Sequence, residues 1–265
     1  CLPSQCGRAI VDNFLSNPEV VRLRELAEAG MRLGGGGAGG PSILDLVSGA
    51  VSKGHQFVDV YRAYQGKGQA EVDAMAFNST NVVLYRDIVY RVQRAVMAHF
   101  KVSRLFLSAP TFFSRIRGDS RPTTVHDEYW HPHIDKEQYG SFVYTALLYL
   151  NDRGTDYEGG AFVFHDPAAT VYRQLKGEPD SSRYASMLDS ALTSGHGHNV
   201  TVIPRSGRML LFTSGRENIH FVEPVTRGTR YALTIAFTCD TQHETDTAHF
   251  LDDRIQLLSR SHPAP

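Results

Sequence analysis

The sequence predicts a mainly β fold of the α+β class: a double-stranded β-helix, or jelly roll, braced by helices on its N-terminal side. Three observations carry this. Past about residue 103, short β-rich runs follow one another, separated by Gly, Pro, Asn and Asp; seven or more such strands suit a sandwich or barrel. Ahead of them lie two long stretches whose apolar residues recur at three- and four-residue steps, which is the helical period. Hydrophobic residues make up 42% of the 265 positions, enough for one sizeable core, and no structureless stretch is long enough to divide the chain.

Taken in order, GRAIVDNFLS reads as a strand entering a turn. Ser16-Asn17-Pro18-Glu19 then opens the amphipathic run VVRLRELAEAGMRL. Ser16 at the N-cap, Glu19 three residues on and Pro18 in the first turn form a capping-box start. The glycine run from residue 34 should end this helix, because a glycine inside a helix costs about 1 kcal/mol. The segment GGGGAGG is expected as a mobile surface loop. A second helix is expected over residues 81–101, with Val83, Tyr85, Ile88, Val92, Ala95 and Val96 on its apolar face and Asn78 in an exposed loop before it.

The expected strands are RLFLSA, SFVYTALLYL, AFVFHD, NVTVIP, RMLLFT, IHFVEPV and RYALTIAFT, with a polar, partly helical insertion over residues 167–195. Residues 1–102 are therefore expected as a helical support region within one domain, 103–240 as the jelly-roll core, and 241–265 as a C-terminal helix or tail. A jelly roll is open at one end, and that mouth suits a metal and a small molecule.

Composition narrows the partners. The formal net charge is −1 and the pI about 6.9, so nothing favours nucleic acid or a strongly charged membrane surface. No apolar run reaches the roughly 18 to 20 residues that span a bilayer. The opening CLPSQCGRAI lacks an apolar signal core and begins with Cys, so a signal or membrane anchor is expected upstream. Cys1, Cys6 and Cys239 show no zinc-site spacing; a disulfide between any two, or three reduced thiols, both stay open. Asn78-Ser79-Thr80 and Asn199-Val200-Thr201 fit the N-glycosylation triplet. With the cysteines, they lead to an expected secretory-pathway lumen or endomembrane location, single-pass in the full-length protein.

The chemistry concentrates in His126-Asp127-Glu128-Tyr129-Trp130-His131-Pro132-His133-Ile134-Asp135. Residues two apart in an extended strand share a face. By that step His126-x-Glu128, His131-x-His133 and His133-x-Asp135 are all candidate pairs, and a solvated histidine-rich turn is the bland alternative. Two imidazoles and one carboxylate would leave three positions open on octahedral Fe(II). Further on, His220 starts a β-rich segment, Arg227-Gly228 marks a turn, and Arg230 opens the next strand. A distant His can complete a facial triad. An Arg ten positions later, across a hairpin, can reach the same cavity, and its planar fork suits a carboxylate. An isolated strand Arg is more often exposed, but the joint pattern outweighs that base expectation. His196 and His198, in SGHGHNV, are expected on the surface.

The order H-I-D, TALLYLND, GGAFVF and HFVEPVTRGTRYALT, over roughly residues 103–240, resembles the catalytic domain of prolyl-4-hydroxylase-type 2-oxoglutarate/Fe(II) oxygenases. The resemblance implies His133, Asp135 and His220 as iron ligands and Arg230 as the salt-bridge partner of the far carboxylate of 2-oxoglutarate. It implies a hydrogen bond to that carboxylate from Tyr149, with Thr145 and Thr234 as further contacts. It also implies O₂ as cosubstrate, ascorbate as a supporting reductant, and hydroxylation of a peptide or protein side chain such as proline, with release of succinate and CO₂. Two positions depart from the pattern: Trp130 stands where relatives carry Tyr, and Ala236 where they often carry a bulky aromatic. His131 matches no ligand position. The competing readings are a zinc hydrolase, which leaves Arg230 unexplained, and a catalytically inactive metal-binding jelly-roll interaction module.

Overall fold

Both expected helices form, and their ends follow the local chemistry. In the computed structural model, which describes residues 3, 5–68, 71, 75–124, 127–167, 186–187, 197–245 and 247–260, helix α1 spans Asn17–Gly34. The Glu19 carboxylate accepts from the Ser16 N–H at 2.8 Å and its hydroxyl at 2.9 Å. Gly35, at φ +91°, ends the helix in a left-handed cap. Two short helices, α2 (Val60–Gln65) and α4 (Asp135–Tyr139), flank the long α3 (Ser79–Phe100) in sequence, and α5 (Thr247–Arg260) closes the chain. Asn78 does not sit in an open loop. It is the N-cap of α3, accepting from Asn81 N–H at 3.0 Å and donating to the Met75 carbonyl at 3.2 Å.

The strands in chain order are β1 (Arg8–Val11), β2 (Gly36–Gly37), β3 (Ser42–Leu44), β4 (Ala50–Gly54), β5 (Gln56–Asp59), β6 (Phe106–Arg117), β7 (Tyr144–Tyr149), β8 (Tyr157–Gly159), β9 (Phe162–Pro167), β10 (Gly197–Val202), β11 (Met209–Thr213), β12 (His220–Val222) and β13 (Val225–Thr238). The major sheet runs β1-β11-β7-β13-β6-β3-β4-β2, with β5 paired to β4 and β8 to β13. The minor sheet is β10-β9-β12.

Strand β7 explains the layering. All six of its residues are buried, because both faces of the major sheet are covered. Tyr144, Ala146 and Leu148 join the core formed with α1, α3 and α5, where Leu26, Val92 and Leu251 lie. Leu147 and Tyr149 point the other way, into a second core between the sheets with Phe162, Phe164, Leu210, Phe212 and Ala232. Ala232 pairs directly with Tyr149, so the small residue leaves room for the large one. Cys239 packs against the helix-side core and is disulfide-bonded; Cys1 lies outside the described residues.

Three expectations need correction. Residues 1–102 are not only helical support: β1 forms one edge of the major sheet, and β3, β4 and β2 extend the other. Strands of two to five residues are too short to show an alternating pattern. Second, the glycine run is not a mobile loop. Gly36 and Gly37 pair in parallel with Lys53 and Gly54, and a Cβ on Gly34 would lie 2.7 Å from the Ser52 carbonyl oxygen. The glycines are there for close approach of helix and strand. Third, Arg227-Gly228 is not a hairpin turn. Strand β13 runs through it, Gly228 at φ +75° pairing with Tyr157 of β8 just past a register irregularity between Val225 and Arg227. Residues 168–185 and 188–195 of the expected insertion lie outside the described residues, as does His196.

Candidate metal centre

His133 and His220 are brought together by backbone pairing. His133, outside any longer strand, forms a two-way bridge with His220 at the start of β12, His133 N–H to the His220 carbonyl at 2.9 Å and His220 N–H to the His133 carbonyl at 3.0 Å. The expectation that His131, His133 and Asp135 share one face of a strand is only half met. Ile134 is extended at φ −128°, ψ 121°, but Asp135 is already the first residue of α4. That helix is tied to the sheet by Lys136 N–H donating to the Ser214 carbonyl at 3.0 Å. The Asp135 carboxylate is thereby aimed at both imidazoles. Its Oδ1 lies 3.3 Å from His220 Nε2 and 3.7 Å from His133 Nε2, and one ligand atom from each residue falls within 4.8 Å of the others. Among the described residues this is the only such cluster of His, Cys, Asp and Glu.

Neighbouring groups fix each donor. His133 Nδ1 lies 3.0 Å from the His131 carbonyl and His220 Nδ1 lies 2.9 Å from the Asn218 carbonyl. A carbonyl can only accept, so each Nδ1 carries a proton and each Nε2 is the ring nitrogen turned toward Asp135. Asn218 is itself anchored by Nδ2 to the Thr213 carbonyl at 2.7 Å and by Arg8 Nε to its Oδ1 at 2.5 Å. The His220 ring stacks on Phe162 at 4.9 Å and meets Phe212 edge-on at 5.0 Å. Burial, with the neighbouring His220, pushes His133 down to about 4 despite the pull of Asp135. Burial would raise the Asp135 carboxyl, but His220, His133 and the Thr145 hydroxyl outweigh it and hold it below the ordinary range. A neutral His133 beside an ionised Asp135 is the state that binds a divalent cation.

Thr145 serves this carboxylate. Its hydroxyl donates to Asp135 Oδ2 at 2.7 Å and meets the Ser214 hydroxyl at 2.9 Å. Thr145 lines the cavity as expected, and in this structure its hydroxyl proton is directed at Asp135. Thr234 does line the cavity.

Arg230 is the other pole. It comes from β13 in the major sheet, whereas His220 is on β12 in the minor one, so the two converge across the sandwich and not around a hairpin. The side chain is 2% exposed. Its Nε donates to the Gly160 carbonyl at 3.2 Å, while Nη2 is buried without a hydrogen-bond partner. The Tyr149 ring lies 5.6 Å from the guanidinium carbon, and the buried Tyr149 hydroxyl has no close hydrogen bond, its polar neighbour being Arg230. A buried cation without a countercharge is costly, and buried polar atoms are normally satisfied. This group of donors fits an anion.

Both poles line one cavity of about 960 Å³, together with Leu147, Phe162, Phe212 and Val222 on its inner wall. That is the upper end of the roughly 300–1,000 Å³ usual for ligand pockets. Its mouth is formed by Gly37, Ala38, Gly40 and Pro41, the β4–β5 hairpin with Phe57 at 61% exposure, Asp127, Glu128, Tyr129 and His131, and α4. His131 stands at this mouth, its Nε2 2.6 Å from Glu128 Oε2. Trp130 packs edge-on against Tyr129 at 5.2 Å, and Tyr129, a cavity residue, accepts from Val225 N–H at 2.8 Å. Tyr129 escaped the sequence reading, as did Ser214, Asn218 and the phenylalanine cage of His220. Phe162 and Phe164 carried a period-two signal toward the inner face, but nothing in the chain marked which histidine they would hold. His198 is exposed, 3.5 Å from Asp166. His126 lies outside the described residues.

The comparisons with known proteins agree with this geometry. Residues 120–238 match the family model of the 2OG-Fe(II) oxygenase superfamily. The chain is 46% identical over 245 residues to 2-oxoglutarate and iron-dependent oxygenase domain-containing protein 3 of Xenopus tropicalis, covering 92% of this chain and 66% of that protein. It is 26% identical over 269 residues to prolyl 3-hydroxylase 1 of Gallus gallus, covering 96% of this chain and 32% of that protein. It thus spans just under two thirds of the first relative's length. A prolyl hydroxylase from Trichoplax adhaerens, solved with a hypoxia inducible factor peptide fragment, shares the fold with a TM-score of 0.53 at 15% identity, over 88% of this chain and 84% of that one. The jelly roll, the converging His133, Asp135 and His220, and this relationship place the chain in the 2-oxoglutarate/Fe(II) oxygenase superfamily, to which it belongs.

Proposed function

We propose that this protein is an Fe(II)- and 2-oxoglutarate-dependent dioxygenase that hydroxylates a peptidyl side chain, proline being the leading candidate. The observation that carries the proposal is a three-ligand His/Asp/His set and a buried, unpaired guanidinium facing one cavity. The donor set fits the metal: two Nε2 atoms and one carboxylate leave positions open for a bidentate ligand and O₂. Arg230, with the Tyr149 hydroxyl, fits the far carboxylate of a keto diacid, because a bidentate Arg–carboxylate pair would satisfy the buried Nη2.

Bound together, iron, 2-oxoglutarate and O₂ would supply the oxidant, with succinate and CO₂ released, and ascorbate would keep the metal reduced. The chain's own contribution is placement. His133 and His220 present fixed lone pairs, Thr145 holds the orientation of Asp135, and Arg230 sets which end of the diacid faces the metal. Phe162, Phe212 and Leu147 wall the interior with apolar surface and keep bulk water out. A peptide substrate is supported by the names of the prolyl hydroxylases that resemble this chain and by a cavity much larger than the diacid alone requires.

The test is succinate release from 2-oxoglutarate by protein purified anaerobically and loaded with Fe(II). Slow turnover without any added substrate is the expected result. A fully iron-loaded protein that releases no succinate, alone or with peptide libraries, would favour an inactive binding module. A secretory-lumen location for the full-length protein is part of this reading, supported by the disulfide at Cys239 and the exposed sequon residue Asn199. Endoglycosidase treatment should then increase gel mobility, and unchanged mobility would count against it.

A further inference from the structure

The first residue of β1, Arg8, reaches the back of the metal centre from the edge of the major sheet. Its guanidinium makes four hydrogen bonds to three residues. Nε donates to Asn218 Oδ1 at 2.5 Å, and Nη1 to Asp166 Oδ2 at 3.1 Å. Nη2 donates to the other Asp166 oxygen and to the Glu217 carbonyl at 3.2 Å. The guanidinium carbon also stands 4.0 Å from the centroid of the Phe164 ring, which lies 6.2 Å from the ring of His220. Asn218 and Glu217 belong to the loop 214–219 between β11 and β12. That loop serves two of the three converging side chains. Its Asn218 carbonyl accepts from His220 Nδ1. Its Ser214 hydroxyl meets Thr145, the donor to Asp135, and its Ser214 carbonyl ties down α4.

We infer that Arg8 is a positioning residue for the metal, acting through the loop that orients His220 and Asp135. This rests on the metal-centre reading above. It also extends the centre beyond residues 120–238, the stretch that matches the oxygenase family and contains all three ligands. The Asn218 side chain is held from both ends, Oδ1 by Arg8 Nε and Nδ2 by the Thr213 carbonyl. Its amide cannot swing, so the backbone carbonyl of the same residue stays aimed at His220 Nδ1. Partners of that kind set the orientation and basicity of a metal-binding imidazole. Stapling the two sheets together would need only the Asp166 pair. The bonds to Asn218 and the Glu217 carbonyl are directed at the loop instead. A guanidinium can span all of these acceptors with five N–H donors in a planar fork, whereas a lysine offers a compact charge with three.

The experiment titrates Co(II), without 2-oxoglutarate and with oxygen excluded, into wild type, Arg8→Met, Arg8→Lys and Asp12→Ala. Affinity and the visible absorption of the bound ion are read, with a melting curve for each protein. Asp12→Ala controls for a loosened β1: it removes the carboxylate that accepts from Arg208 Nε at 2.6 Å just past the strand and leaves the Arg8 contacts in place. Both Arg8 variants should bind Co(II) about tenfold more weakly, the low end of the about 10–100-fold that loss of an outer partner costs, with a shifted absorption band. Asp12→Ala should keep wild-type affinity and band even if it melts earlier. Should Arg8→Met fail to fold, Arg8→Lys decides, since it keeps a positive charge against Asp166. Wild-type affinity and band in Arg8→Lys would overturn the inference, because the charge pair alone would then suffice. An equal loss in Asp12→Ala would also overturn it, since that marks general loosening. Wild-type protein that binds no Co(II) would refute the metal-centre reading itself, and this inference with it.

Discussion

Asp135→Ala is expected to abolish succinate formation while leaving the protein folded. Asp135 is the one carboxylate among the three converging side chains and stands 3.3 and 3.7 Å from the two Nε2 atoms. Without it, two imidazoles face each other with no anion between them, and the site loses the charge that holds a divalent ion. Losing a hydrogen-bond partner of a ligand typically costs about 10–100-fold in metal affinity. Losing the ligand should exceed that, so a fall of roughly a thousandfold or more in Mn(II) affinity is expected beside the loss of turnover. Thr145→Val supplies the calibration. It removes the hydroxyl donor to Asp135 Oδ2 and should weaken metal binding within the about 10–100-fold range while retaining measurable activity. Circular dichroism and a melting curve check the fold. Wild-type succinate release from Asp135→Ala would show that the metal is held elsewhere.

The residues of this centre were legible in the chain for different reasons from those that assemble them. His133 and Asp135 stood out because Ile134 between them suits an extended step, and that much holds. The turn into α4 immediately after it was not visible, because a five-residue helix has too little periodicity to read. His220 and Arg230 looked like two sides of a hairpin, yet they lie on different sheets. The error came from reading Gly228 as a turn, when a glycine at positive φ serves equally well in an irregular strand. The partnership of His133 with His220 through paired backbones depends on residues 87 apart in sequence, and no local pattern reports it. Buried hydrogen-bond partners are harder still to read. Thr145 is expected at the cavity but nothing in the chain pairs it with Asp135, and Ser214 looks like an ordinary turn residue until the fold brings both to that carboxylate. The glycine run was misread for the opposite reason: composition suggested freedom, whereas Gly34 and Gly36 are small so that β4 and Arg115 can approach closely.

Arg230→Met is expected to act in opposite directions on the ligand-free protein and on its complex. In the wild type the guanidinium is buried with one backbone acceptor, Gly160, and a tyrosine ring at 5.6 Å. Among the described residues no acidic side chain pairs with it. An ion held that way carries a desolvation cost of several kcal/mol that its surroundings only partly offset. Methionine fills comparable volume without charge, so the ligand-free variant should melt at the wild-type temperature or higher. The complex should suffer. Charge-assisted hydrogen bonds contribute about 1.5–3 kcal/mol each, so losing even one bond of the fork should raise the 2-oxoglutarate requirement roughly 10–150-fold, and losing both should raise it further. Metal affinity measured without the diacid should stay the same, because Arg230 is not a ligand. The two effects meet in one assay. At about 100 times its Kd a ligand stabilises a protein by about 2.7 kcal/mol, so 2-oxoglutarate that raises the wild-type melting temperature should move that of Arg230→Met by about half as much or less. A ligand-free variant that is strongly destabilised would mean that Arg230 belongs to the framework of the fold. Unchanged 2-oxoglutarate stabilisation would mean that the diacid is gripped elsewhere. Either result would remove the physical basis for reading this cavity as a keto-diacid site.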